Sequence, residues 1–220
     1  MQLCLADILP ADRLTALVDR LKTARFIDGK ATAGWNATGV KENQQAYAPG
    51  VAQLAAEIET ALRQHPVFAL AARPKRLHPI LFARYEPGMT YGYHVDDPLM
   101  GDPPLRTDLA LTLFLSDPET YDGGDLIIDQ PGGEQAYKLP FGAAVLYPAT
   151  TLHQVAPVTR GVRLVAITWI QSLIRDPGQR EILFDLDTAR RMLFARDGKS
   201  REFDLLSKSF ANLLRLWAEP

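Results

Sequence analysis

The stretch DLALTLFLSDPETYDGGDLIIDQPGGEQAYKLPFGAAVLYP, residues 108–148, decides the fold. DLALTLFLS, DLIID, QAYKL and AAVLYP are apolar runs too short for helices, and they read as strands. Turn formers separate them at Asp122-Gly123-Gly124, Pro131-Gly132-Gly133 and Pro140-Phe141-Gly142. The same pattern extends upstream through LHPILFARY to Glu86-Pro87-Gly88, and downstream through Thr159-Arg160-Gly161 to RLVAITWI. Seven or eight short strands at close spacing predict a sandwich or barrel between about residues 76 and 174.

Helical periodicity flanks this β region. Leu14, Leu17, Val18 and Leu21 follow Pro10 at helical spacing, and Leu54, Ile58, Ala61 and Leu62 mark a second helix. Residues 1–75 are therefore expected to be a mostly helical support. Between the two helices lies DGKATAGWNATGVKENQQ, polar and long for a plain connector. Past Asp176-Pro177-Gly178 two helices joined at Asp197-Gly198 are expected over 175–220. One carries Ile182, Leu183, Leu186, Ala189 and Leu193, the other Phe203, Leu206, Phe210, Leu213, Leu214 and Trp217. Such helices cover a sheet face or make a homo-oligomer contact.

Composition narrows the function classes. With 47% hydrophobic and 23% charged residues the 220-residue chain is an ordinary globular one. A net charge of −2 with scattered Lys and Arg predicts neither a nucleic-acid surface nor an anionic-membrane surface. No apolar run is long enough to span a membrane, and the N-terminus does not read as a signal peptide. The single cysteine, Cys4, excludes a disulfide framework and suits a reducing, cytoplasmic setting. Asn36-Ala37-Thr38 matches a glycosylation acceptor, which without a secretion signal is taken as chance.

The chemistry-bearing residues are His94 and Asp96 in YGYHVDDP, and His153 in ATTLHQVAPVTRGVR. Two imidazoles and a carboxylate can hold Fe(II) on one face and leave the other open. His94 and Asp96, two apart, point to one side if both lie on a strand. A close pair and a distant third ligand must meet in one cavity, which favours a jelly roll among the β architectures. The same three residues could hold zinc with water in the fourth place, and Asp97 is then a candidate general base. Arg163, ten residues past His153, fits an organic carboxylate; its alternative is a salt bridge on a sheet surface.

The strings ARYEPGMTYGYHVDDP, YDGGDLII and LYPATTLHQVAPVTRGVRLVAITWIQS resemble the Fe(II)- and 2-oxoglutarate-dependent dioxygenases, in particular the prolyl 4-hydroxylase-like branch. Outside the core, DGKATAGWNATGVKENQQ and the C-terminal helices resemble the bacterial PKHD-type, PiuC-like hydroxylases. The resemblance implies a mainly β fold with flanking helices, a double-stranded β-helix (jelly roll) at its centre. It implies His94, Asp96 and His153 as catalytic iron ligands, and Arg163 on the distal carboxylate of 2-oxoglutarate where animal prolyl hydroxylases carry Lys. Tyr85 or Tyr91 would add a phenol hydrogen bond to the co-substrate, and Gly123-Gly124 would let the strands wrap the site. O2 is consumed, succinate and CO2 are released, an unactivated C–H is hydroxylated, and L-ascorbate keeps the iron reduced. The primary substrate is unidentified: a prolyl residue or a small molecule such as a siderophore, with residues 34–45 and 97–106 as candidate specificity loops. Two rivals stand beside this reading. One is a divalent-metal (zinc) hydrolase on a cupin-like barrel, the other a non-catalytic sensor of iron, oxygen or 2-oxoglutarate. A nucleic-acid demethylase is a distant third, for want of a basic groove.

Overall fold

The structure, a computed structural model, describes residues 1–220 except 33, 35, 36, 48 and 49. Trp35 of the candidate specificity loop 34–45 and Asn36 of the glycosylation string lie outside the described residues.

Two antiparallel sheets face each other. The larger runs, in spatial order, through Leu3–Leu5, Ala144–Pro148, Leu109–Phe114, Arg163–Ser172, Leu81–Tyr85, Gln44–Ala46 and Phe26–Asp28, with Pro74–Leu77 also pairing with Arg163–Ser172. The smaller runs through Gln135–Tyr137, Leu126–Ile128, His153–Val155, Thr90–His94 and Lys41–Glu42. This is the double-stranded β-helix expected from the sequence.

Leu109–Phe114 explains why its segment is apolar at nearly every position. All six residues are buried, because both faces of the strand are covered. Leu109, Leu111 and Leu113 point outward into a core shared with helices α1 (Ala11–Lys22), α2 (Val51–Gln64) and α3 (Pro66–Ala72), where they meet Leu14, Leu21, Ile58, Leu62 and Phe68. Ala110 and Phe114 point inward to a second core between the sheets, with Tyr85, Leu126, Ile128, Tyr147, Val155 and Val165. Burying each large side chain of these layers contributes about 1.5–3 kcal/mol. The candidate site sits in the inner layer.

The chain ends in α4 (Pro177–Asp197) and α5 (Arg201–Trp217). Asp176 caps the first by accepting from the Gln179 amide at 2.8 Å, Pro177 occupies its first turn, and Ser200 caps the second. Leu183, Phe210 and Ile174 form a small third core between these helices and the body.

The N-terminal region, expected to be mostly helical, holds α1, α2 and α3 and also supplies strands. Leu3–Leu5, Phe26–Asp28 and Gln44–Ala46 belong to the larger sheet, and Lys41–Glu42 to the smaller. The polar string KENQQA thus crosses from one sheet to the other. Its residues are poor strand formers, and they are extended because they pair with neighbouring strands, Lys41 opposite Tyr91 and Gln44 opposite Arg84.

Candidate metal centre and anion pocket

His94 closes the strand Thr90–His94 and His153 opens the strand His153–Val155, and the two are direct partners across the ladder. Asp96 lies beyond the end of the first strand rather than on it, so the same-side placement expected from spacing is achieved by the chain's exit from the sheet. All three residues are buried, and one ligand atom from each lies within 4.8 Å of the others.

Each histidine is held by its own backbone. His94 Nδ1 lies 2.8 Å from the Gly92 carbonyl and His153 Nδ1 lies 2.9 Å from the Thr151 carbonyl. A carbonyl only accepts, so Nδ1 carries the proton in both rings and Nε2 is left as the free lone pair. The Tyr91 ring stacks on His94 at 3.6 Å, and Tyr147 meets His153 edge-on at 5.2 Å. Burial, with the His153 ring and Lys41 nearby, lowers the His94 pKa to about 3, so this imidazole is neutral at any working pH. Burial raises the Asp96 pKa above the ordinary carboxylate range, against the pull of His153 and the Trp169 indole. Asp96 Oδ2 has no hydrogen-bond partner, and its other oxygen stands 3.9 Å from His153 Nε2. Two bare imidazole nitrogens beside a buried carboxylate with an unpartnered oxygen are the donors a divalent cation requires.

Deeper in the cavity lies Arg163, only 1% exposed and the largest of the fully buried side chains among the described residues. Its Nε and Nη1 have no partner, and no carboxylate pairs with it among the described residues, so it is not a sheet-surface salt bridge. It is the direct ladder partner of Tyr85, and its guanidinium lies 5.0 Å from that ring and 5.6 Å from Phe114. Gly124 makes room for it: at φ 67°, a Cβ there would come within 2.9 Å of Arg163 Cδ. Gly123, also at positive φ, faces the Pro157 carbonyl where a Cβ would stand at 2.1 Å.

One cavity is lined by His94, Asp96, His153, Arg163, Tyr85 and Tyr91 together. Asp97 and Met100 line it too, so the start of the 97–106 loop reaches the site. The remainder of that loop folds into a small ribbon, Leu99–Met100 against Leu105–Arg106.

Other residues in or beside the cavity were marked in the sequence only as part of the candidate loop 34–45, or, for Tyr121, only within the string YDGGDLII. Asn43 is buried, and its Nδ2 donates to the Tyr85 hydroxyl at 2.8 Å. Tyr121, buried beside Arg163, has an unpartnered hydroxyl. Lys41 is buried at the mouth strand. Along this string burial alternates, with Lys41, Asn43 and Gln45 buried and their neighbours Glu42 and Gln44 not.

Fold and site together define a 2OG-Fe(II) oxygenase, and comparison with known proteins agrees. Residues 80–171 match the 2OG-Fe(II) oxygenase superfamily, and residues 177–219 match the PKHD-type hydroxylase C-terminal domain. A PKHD-type hydroxylase of Synechococcus elongatus is 56% identical over 216 residues, covering 96% of this chain and 97% of its own. Another, from Crocosphaera subtropica, is 53% identical with both chains fully covered. Among solved structures, a Pseudomonas putida prolyl-4-hydroxylase superposes with TM-score 0.54 at 24% identity, covering 78% of this chain and 92% of that one. A viral collagen prolyl hydroxylase from Paramecium bursaria Chlorella virus-1 gives TM-score 0.55 at 19% identity, with coverage of 78% and 95%. The chain belongs to the PKHD-type hydroxylases, a family of Fe(II)/2-oxoglutarate-dependent dioxygenases.

Proposed function

We propose that the protein hydroxylates an unactivated C–H bond, with His94, Asp96 and His153 holding Fe(II) and Arg163 with Tyr85 holding the distal carboxylate of 2-oxoglutarate. The observation that carries this is a cluster of buried donors with no anion to pair with. Arg163 Nε and Nη1 and the Tyr121 hydroxyl are unpartnered. Asn43 Nδ2 occupies a lone pair of the Tyr85 oxygen, which leaves the Tyr85 O–H free to donate. A buried guanidinium flanked by phenols, with no anion among them, calls for a ligand carboxylate.

Iron bound at the triad would supply the redox chemistry, in which O2 and 2-oxoglutarate are consumed, succinate and CO2 are released, and one oxygen atom reaches the substrate. The protein's part is orientation. The Nδ1–H bonds to Gly92 and Thr151 aim both Nε2 lone pairs at one point. Arg163 and Tyr85 fix the far end of the co-substrate, and the inter-sheet core around them excludes water. Of the two tyrosines, Tyr85 is assigned to the co-substrate because it borders Arg163. Tyr91, stacked on His94, is assigned to holding that ring.

The remaining assignments are of the same kind. A prolyl residue is favoured by the likeness to proteins described as prolyl hydroxylases, and a small molecule such as a siderophore is the second candidate. L-ascorbate is proposed as the reductant that restores oxidised iron. Residues 1–75, 76–174 and 175–220 are proposed as support, oxygenase core and C-terminal helical unit. No helix among the described residues is long and apolar enough to cross a membrane, and a cytoplasmic setting is proposed from the single cysteine. Exposed Met192, Phe194, Leu205 and Leu216 on the last two helices are proposed to form a homo-oligomer contact.

Anaerobic addition of Fe(II) and 2-oxoglutarate tests the central claim. A weak visible charge-transfer band that needs both components, and is lost in His153→Ala, is expected. Absence of the band in the wild-type protein would overturn the assignment.

A further inference from the structure

We propose that Lys41, backed by Thr32, receives a carboxylate of the primary substrate, so that the molecule hydroxylated is an organic acid docked at the metal end of the cavity. This rests on the iron and 2-oxoglutarate sites proposed above.

Lys41 is 4% exposed and lines the same cavity as the triad. Its ammonium donates to the Thr32 hydroxyl oxygen at 2.9 Å and stands 5.2 Å from the Tyr91 ring centre. Thr32 in turn donates to Gln45 Oε1 at 2.7 Å, so its oxygen is fixed as an acceptor for Lys41. One neutral hydroxyl and a ring face are the contacts of a cation that has three protons to donate. No carboxylate lies within ion-pair distance of it among the described residues.

The charges that act on Lys41 from a distance are Asp96 and Asp28. Asp28 is exposed and already caps the Lys30 amide at 2.9 Å. Asp96 is the anion assigned to iron, and once it ligates a divalent cation it no longer compensates a neighbouring ammonium. Asp97, the other acid lining the cavity, lies against Gly34, where a Cβ would stand 2.2 Å from its Oδ2. Loading iron alone therefore leaves a buried ammonium beside a metal ion with no anion of its own, which is the costly arrangement for a buried charge.

Neither carboxylate of the co-substrate fills this role: the one beside the keto group would be taken up by the metal, as Asp96 is, and the distal one is assigned to Arg163. Lys41 and Asn43 lie two residues apart, about 7 Å along an extended chain. Asn43 reaches Tyr85 at the Arg163 end, whereas Lys41 acts on Asp96 and His94 at the metal end. The two cations thus serve opposite ends of the cavity, and the free one faces the substrate's side.

The test uses the full chain loaded anaerobically with Fe(II) and 2-oxoglutarate. N-acetylproline and N-acetylleucine, each paired with its N-methylamide, are titrated in by calorimetry while the visible band reports 2-oxoglutarate binding. Wild-type protein is expected to bind the acids at least about 10-fold tighter than the amides, the order expected for one desolvated ion pair. Lys41→Met should abolish that preference, Lys41→Arg should retain it, and 2-oxoglutarate affinity should stay within about twofold in both. No acid preference in the wild type, or a preference that survives Lys41→Met, overturns the proposal. So does a loss of 2-oxoglutarate affinity in Lys41→Met, which would place Lys41 on the co-substrate. A wild-type protein that forms no band fails at the underlying site reading instead, and thermal melts of each variant report whether it folds.

Discussion

Two buried cations, Arg163 and Lys41, sit in one cavity with too few acceptors, and both should cost the empty protein stability. Arg163→Met replaces an unpaired guanidinium by an apolar side chain that suits the Tyr85 and Phe114 rings around it. The variant is expected to melt higher than wild type without ligands, and to bind 2-oxoglutarate about 100-fold more weakly, as loss of a buried charge partner implies. Calorimetry without ligand and band titration with 2-oxoglutarate check the two halves, and equal 2-oxoglutarate affinity would make Arg163 structural. Lys41 adds a pH signature. Burial lowers its pKa from 10.5 to about 8, against the attraction of Asp96 and Asp28. Between about pH 8 and 10.5 the unfolded chain holds this proton and the folded chain does not, so the stability of the wild type rises with pH across that window. Below pH 8 the burden is fully present. Metal-free Lys41→Met should therefore exceed wild type by about 1–3 kcal/mol at pH 7, an advantage that fades toward pH 10.5. Melts of both proteins across that range would show it. At this scale the sequence was informative where chemistry demands rare residue types at fixed spacing, as with His94, Asp96 and His153. It placed Lys41 and Asn43 only within the candidate specificity loop 34–45, because a lysine and an asparagine in a polar string carry no individual role until burial is known.

Among the elements, the strands were legible where both faces are covered and illegible where a neighbouring strand imposes the conformation. Leu109–Phe114 declares itself by six consecutive apolar or small residues, each buried on one sheet face or the other. Lys41–Glu42 and Gln44–Ala46 are strands by courtesy of Tyr91 and Arg84 opposite them, which no local propensity encodes. The turn glycines fall between these cases. Gly-Gly at 123–124 reads as a tight turn, whereas the structure makes Asp122–Gly123 a short bulged strand against Val158–Arg160; both glycines take positive φ, and that Gly124 also shapes the anion pocket is a tertiary fact. Gly124→Ala meets both demands at once, a strained φ and a Cβ 2.9 Å from Arg163 Cδ and Val158 Cγ2. It is expected to destabilise the fold by about 1–3 kcal/mol and to weaken 2-oxoglutarate binding through the displaced guanidinium. Denaturant unfolding measures the first. An unchanged band titration alongside would show that Arg163 absorbs the methyl without moving.

For the molecule as a whole, the C-terminal helices are tied to the β body by a polar knot as well as by their small apolar core. Arg106 places Nε 2.7 Å from Asp108 Oδ1 and Nη1 3.0 Å from Glu219, and Asp108 also accepts the Ser172 amide at 2.8 Å. The backbone closes the same loop, with the Glu219 amide donating to Leu173 at 2.8 Å and Lys75 donating to the Pro220 carbonyl at 2.9 Å. Asp108 is buried and immediately precedes the central strand Leu109–Phe114, so the knot joins the chain's last residues to its most covered strand. Arg106→Ala leaves that carboxylate with only the amide as partner and removes the bridge to Glu219. A cost of about 1–3 kcal/mol is expected from the under-partnered buried acid. Its location is the sharper prediction: amides of Arg201–Trp217 should exchange faster with deuterium, because a helix held by few buried contacts opens locally once its far end is released. The strands carrying His94 and His153 should keep their protection, since neither touches the knot in the ladder. Uniform loss of protection across both sheets would instead mean that Asp108 anchors the central strand itself, and that the C-terminal helices and the β body unfold as one cooperative unit.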